Sequence, residues 1–134
     1  MDYNWQEYTV LITEDNEISY KYIELVLSRK TNINIIWAVN GMQAVEYCQL
    51  YEHIDIVLMD IQLPDIDGYE ASRQIKSFRP NLPIIIQSAN ALNDEWERCL
   101  ETGCDAYVSK PIDLHVLFAK IDNLLDKVPA SKAS

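Results

Sequence analysis

Ile56-Val57-Leu58-Met59 is apolar at every position and stops at Asp60. A strand with one wet face alternates apolar and polar residues, so an unbroken short run belongs to a strand covered on both sides. Residues 54–59 therefore read as a central strand of a parallel sheet layered between helices. Working outward, four more short β-rich runs stand at 8–13, 33–38, 83–87 and 106–109. Pro83 can only open its strand, because proline has no N–H for the ladder.

Longer helical patterns fill the gaps, at 17–30, 42–51, 69–77, 93–102 and 114–125. The first is apolar at Ile18, Tyr22, Ile23, Leu25, Val26 and Leu27, a broader band than one core-facing stripe needs. The second sets Met42, Val45 and Cys48 on one side, and the third stops ahead of Arg79-Pro80. In the fourth, Cys99 and Leu100 are assigned to the core, and Gly103 closes the helix as a C-cap. The fifth takes Asp113 as N-cap and is apolar at Leu114, Leu117, Phe118, Ile121, Leu124 and Leu125. Strands alternating with helices define βα units. Five of them in 134 residues are too few for an eight-unit barrel and fit a doubly wound sheet. The expected fold is α/β and flavodoxin-like: five parallel strands in the order 2-1-3-4-5, helices on both faces, with a ligand crevice at the carboxyl ends of strands 1 and 3. One domain is expected over residues 1–134, with its core at about 8–126 and flanking segments at 1–7 and 127–134.

Composition limits what such a domain can do. Apolar residues make up 49% and charged residues 24%, with only three glycines, which excludes collagen-like, low-complexity and disordered chains. No apolar run approaches the roughly 18 residues of a membrane span, and no basic segment precedes a long apolar stretch as in a signal peptide. A soluble, cytoplasmic protein is expected. Eleven Lys and Arg against twenty-one Asp and Glu give a net charge of −10. That charge repels nucleic-acid backbones and anionic membranes, so neither is an expected partner. Cys48, Cys99 and Cys104 lack CxxC spacing and read as reduced, apolar side chains; with only His53 and His115 beside them, a structural zinc site has no ligand set.

The chemistry gathers at the strand ends. Strand 1 runs into Glu14-Asp15-Asn16 and strand 3 into Asp60, so the topology brings three carboxylates to one crevice. Like charges about 4 Å apart cost on the order of 4 kcal/mol at an effective dielectric of 20, which calls for a cation or a retained proton. Donors that are all oxygen favour Mg²⁺. Strand 4 adds the hydroxyl of Ser88, and strand 5 the ammonium group of Lys110 beside Pro111. A metal, a hydroxyl and a lysine around one aspartate are what an aspartyl phosphate requires: the carboxylate attacks phosphorus while cations neutralise the equatorial oxygens. Between Asp60 and the third helix, residues 63–68 read as a tight loop in which Gly68 is available for positive φ.

With these residues in place the chain resembles a receiver domain of the two-component response-regulator family. The phosphoacceptor motif is matched almost letter for letter by Leu58-Met59-Asp60-Ile61-Gln62-Leu63-Pro64-Asp65-Ile66-Asp67-Gly68-Tyr69-Glu70. Asn40-Gly41, Ala44-Val45-Glu46, the segment 99–103 and Tyr107-Val108-Ser109-Lys110-Pro111 fall in family register. The wording of Glu14-Asp15-Asn16-Glu17-Ile18 and Gly68-Tyr69-Glu70-Ala71 is most similar to receivers of hybrid histidine kinases. The resemblance implies a phosphoacceptor that is not an enzyme acting on other substrates. It takes a phosphoryl group from a histidine kinase or histidine phosphotransfer protein onto Asp60. It further implies Mg²⁺ held by Asp15, Asp60 and the backbone carbonyl of Gln62, with Glu14 acting through water. Lys110 would pair with the phosphoryl group, Ser88 would donate its hydroxyl, and Ser88 and Tyr107 would form the switch. A cis Lys110–Pro111 bond is implied too. The switched surface would be the fourth helix, fifth strand and fifth helix, where Trp96 would anchor a partner or a homodimer. The acidic pair is Glu-Asp where the family commonly has Asp-Asp, and the switch hydroxyl is Ser where Thr is commoner.

Three other functions fit the fold less well. A flavin-binding electron carrier needs a phosphate-binding loop after strand 1, where Glu14-Asp15 would repel it. A phosphorylation-independent pseudo-receiver that only binds partners usually lacks the acceptor, acid or lysine, all present here. A hydrolase of free phosphate esters would need Asp60 to turn over foreign substrates.

Overall fold

The computed structural model describes residues 3–89 and 93–126, with backbone alone for 93–96. The chain alternates strictly: β1 (Thr9–Thr13), α1 (Glu17–Lys30), β2 (Asn34–Ala38), α2 (Gly41–Leu50), β3 (Ile56–Asp60), α3 (Gly68–Phe78), β4 (Ile84–Ser88), α4 (Asn93–Glu101), β5 (Ala106–Ser109) and α5 (Leu114–Leu125). All four strand pairings are parallel and the order is β2-β1-β3-β4-β5, as expected. The three inner strands are buried along their whole length, whereas the edge strands β2 and β5 are only partly so. That difference is what the unbroken apolar run in β3 encodes.

Each strand divides its side chains between two cores. On one face Val10, Ile12, Ile56, Leu58, Ile85 and Val108 meet α1 and α5. On the other, Leu11, Val57, Met59, Ile84 and Ile86 meet α2, α3 and α4. Helix starts are fixed just past the strand ends by side-chain caps: Asn16 accepts from Ser19 N (3.0 Å), Asn40 from Gln43 N (2.7 Å) and Asp67 from Glu70 N (2.8 Å). Asp113 accepts from His115 N (3.0 Å) and Val116 N (3.3 Å), the cap expected from sequence.

The differences from the sequence reading have local causes. β3 and β4 sit further toward the crevice than 54–59 and 83–87. Ile54 N is taken by the turn carbonyl of Tyr51 (3.2 Å), while the ladder runs past Asp60 through Ile61 N to Gln87 O (3.2 Å). The broad band on α1 splits: Tyr20, Ile23 and Leu27 are buried, and Ile18 (82%), Tyr22 (52%) and Leu25 (49%) face solvent. Met42 and Leu100 are likewise exposed, because Ala44, Val45 and Cys48 face the sheet from α2, and Cys99 from α4. The lead-in contributes to the core. Trp5 is buried between Tyr3 and Phe118, its N–H is held by the Asn32 side chain, and Tyr3 bridges to Thr31. Cys99 and Cys104 lie close together across the α4–β5 turn, their Cα atoms 5.2 Å apart. Cys48 is free and buried, as its apolar reading expects. Gly103 turns that corner at φ +82°, the expected C-cap.

Gly68 has a different role from the one its sequence position suggested. Its φ is not positive. A Cβ there would strike the Asp60 carbonyl and lie 2.9 Å from Ile61 Cα, so the residue is small because α3 begins against the backbone of the acceptor strand. Gly68 N also donates to Ile61 O (2.9 Å). Gly68→Ala is expected to destabilise the fold by about 1–3 kcal/mol in urea titration, since rigid backbone must move.

Candidate functional site

Asp60 ends β3, the middle strand, and is buried to 4% exposure. Beside it, β1 runs directly into Glu14, whose backbone is clamped on two sides. Its N–H donates to Ala38 O (3.0 Å), and its carbonyl accepts from Trp37 Nε1 (2.8 Å). The Trp37 ring is in turn stacked on Tyr20 at 4.1 Å. The clamp leaves the Glu14 carboxylate 1% exposed, with Asn16 N donating to one oxygen (3.3 Å). Exposed Asp15 completes a set in which one oxygen from each of Glu14, Asp15 and Asp60 lies within 4.8 Å of the others.

Lys110 reaches this cluster from the far side. Its Nζ lies 3.1 Å from Asp60 Oδ2 and 3.5 Å from Glu14 Oε1. The Lys110–Pro111 peptide is cis, as the resemblance implied, and Lys110 N donates to Ser88 O (2.8 Å), holding the lysine to the end of β4. Ser88 is buried at that end and registers with Ser109. Gln62 N donates to Asp60 Oδ1 (3.3 Å). Tyr107, half-buried on β5, packs with the α2–α4 side. The Trp96 side chain lies outside the described residues.

One ammonium does not balance three carboxylates. Burial first, and then the neighbouring Asp60 charge, push the Glu14 carboxyl up to about 7 despite Lys110. Lys110 is held above its usual range: burial opposes its charge, but Asp60 and Glu14 outweigh it. The remaining negative charge, together with an all-oxygen donor set, fits Mg²⁺.

Two positioning residues and one buried amide escaped the sequence reading. Trp37 gave no signal, because its role depends on β2 lying beside β1. Asp65 was seen only as part of a tight loop. Its two oxygens accept from Gly41 N (2.9 Å) and Met42 N (2.8 Å), tying the β3–α3 loop to the start of α2. Burial acts to raise its carboxyl, yet those backbone donors hold it below the usual range. Gln87 did leave a trace, as an amide closing the apolar run Ile84-Ile85-Ile86.

Comparison with known proteins agrees with this geometry. The model of the response regulator receiver domain family matches residues 10–122. The chain belongs to that family, the phosphoacceptor modules of two-component and phosphorelay signalling. The hybrid signal transduction histidine kinase H of Dictyostelium discoideum is 32% identical over 84% of this chain, which spans 8% of that kinase's length. The receiver domain of sensor histidine kinase PA1611 from Pseudomonas aeruginosa, solved with magnesium in its active-site cleft, is 32% identical at a TM-score of 0.79, covering 90% of this chain and 98% of that one. The Saccharomyces cerevisiae receiver domain of Ssk1, solved with the histidine phosphotransfer protein Ypd1, is 29% identical at a TM-score of 0.82, covering 90% of each chain. Among the described residues, no helix is long and apolar enough to cross a membrane.

Because Mg²⁺ would bind the folded cluster and not the unfolded chain, it should raise the thermal midpoint by an amount that grows with the logarithm of its concentration above Kd. In calorimetry with and without millimolar Mg²⁺, Asp15→Ala is expected to lose most of that rise. An equal rise in parent and variant would place the ion elsewhere.

Proposed function

We propose that this chain is a phosphorylation-controlled signalling switch, with Asp60 as phosphoacceptor and a phosphohistidine protein as donor. The observation that carries this is the Lys110 ammonium 3.1 Å from a buried aspartate that shares its crevice with two further acids. An Asp60 carboxylate oxygen attacks phosphorus, the P–N bond of the donor breaks, and its electron pair stays with the leaving imidazole. Asp15, Asp60 and the Gln62 carbonyl, with Glu14 acting through water, would hold Mg²⁺, which would supply charge neutralisation at the equatorial oxygens. Lys110 neutralises a further oxygen, and Ser88 donates its hydroxyl to the phosphoryl group. With Ser88 drawn toward the crevice, Tyr107 moves inward and the α4–β5–α5 surface changes, for a partner or for a second copy of the chain. The domain occupies the whole of 8–126 and works in the cytoplasm. It turns over only its own phosphoryl group.

The donor's docking face is supported by a second observation. Ile18, Tyr22 and Leu25 form an exposed apolar stripe on α1, which starts two residues after Asp15. Such a stripe at the rim of an acidic crevice suits a protein donor better than a small one.

Two experiments test this reading. With Mg²⁺ and acetyl phosphate, intact mass should show one base-labile phosphoryl group on the parent and none on Asp60→Asn; labelling that persists in the variant would identify a pseudo-receiver carrying an unrelated modification. Ile18→Asp should slow transfer from a phosphorylated histidine phosphotransfer protein by at least about tenfold, as expected for losing an apolar anchor. Its labelling by acetyl phosphate should stay within about twofold of the parent, so equal slowing with both donors would remove α1 from the donor interface.

A further inference from the structure

Gln87 occupies a place where an aliphatic side chain would be the unstrained choice. It is completely buried, and both atoms of its amide, Nε2 and Oε1, are without a hydrogen-bond partner among the described residues. A buried amide left unpaired is destabilising, so its presence needs a reason beyond packing.

The sheet register supplies one. Gln87 is the direct partner of Asp60 across β3 and β4, and of Val108 across β4 and β5. Side chains two apart on a strand share a face. Gln87 thus shares the face of Ile85, and Asp60 that of Leu58, both on the α1–α5 side. Lys110 starts beyond the end of β5 and reaches Asp60 on β3, so its stem crosses the end of β4, where Gln87 and Ser88 stand. The ammonium has three protons, and Asp60 and Glu14 receive two of them.

We propose that Gln87 is a positioning residue for the phosphorylated state: when a phosphoryl group on Asp60 draws Lys110 off the carboxylate, the Gln87 amide oxygen accepts a hydrogen bond from the ammonium and holds it at the phosphoryl oxygens. The inference rests on the reading of Asp60 as phosphoacceptor. The amide oxygen has no partner among the described residues before transfer and gains one after it, so the energy difference between the two states favours the phosphorylated one.

The variant Gln87→Met keeps length and volume and removes both polar atoms. In the full chain with saturating Mg²⁺, beryllofluoride as phosphoryl mimic would be titrated by ¹⁵N–¹H spectroscopy, with thermal midpoints measured in its absence. The expected result is a roughly three- to tenfold weaker beryllofluoride affinity in Gln87→Met, the range of one net hydrogen bond. Its ligand-free midpoint should be equal to or above the parent's. The parent's side-chain amide resonances that vanish in Gln87→Met should shift on adding the mimic. Unchanged affinity overturns the proposal. So does weaker affinity accompanied by a lowered ligand-free midpoint, since the amide would then serve the resting fold. A parent that takes up no beryllofluoride overturns the phosphoacceptor reading itself, a result distinct from either.

Discussion

Three carboxylates are forced together at the ends of two adjacent strands, and much of the surrounding structure manages the consequence. Glu14 and Asp60 are almost fully buried, so solvent does little to separate their charges. The protein answers with Lys110, whose ammonium contacts both, and the three acids still outnumber it. Such a site is poised by its own repulsion. A divalent ion or a phosphoryl group at this crevice would change the charge balance, and the change would act on whatever holds the charged groups in place.

Those supports are spread over the whole carboxyl edge of the sheet. Trp37 on an edge strand grips the Glu14 carbonyl, Asp65 straps the β3–α3 loop to α2, and Gly68 lets α3 start against the Asp60 backbone. Lys110 is fastened to β4 through Ser88 O. A displacement of Ser88 is therefore felt directly by the lysine, and through β5 by α5. Only rigid elements with few alternatives can carry a single charged group's arrival to a surface some distance away.

Much of this was legible in the residues. The double-sided apolar run at 56–59 revealed a central strand, and the alternation of patterns revealed the doubly wound sheet, because burial on both faces leaves no polar parity. The meeting of Asp60, Glu14, Asp15 and Lys110 could be expected because strand ends converge in this topology whatever the loops do. The α1 band read as wider than one stripe needs, but which residues turn outward was not legible: Ile18, Tyr22 and Leu25 do, because a helix lying on a sheet buries only one stripe. Gly68 showed its importance but not its cause, and the approach of Cys99 to Cys104 depended on how α4 turns back into β5.

The sequence by itself determined the element order, the sheet order and the set of groups at the crevice, since these follow from periodicity, length and the chemistry of the strand ends. Only the tertiary structure decided how those groups are loaded. It fixed how deeply Glu14 is buried, that Lys110 spans β4 to touch two acids at once, and that the amide of Gln87, in register with Asp60, has no partner among the described residues. Burial and hydrogen bonding are properties of neighbours brought from distant parts of the chain, and no local pattern records them.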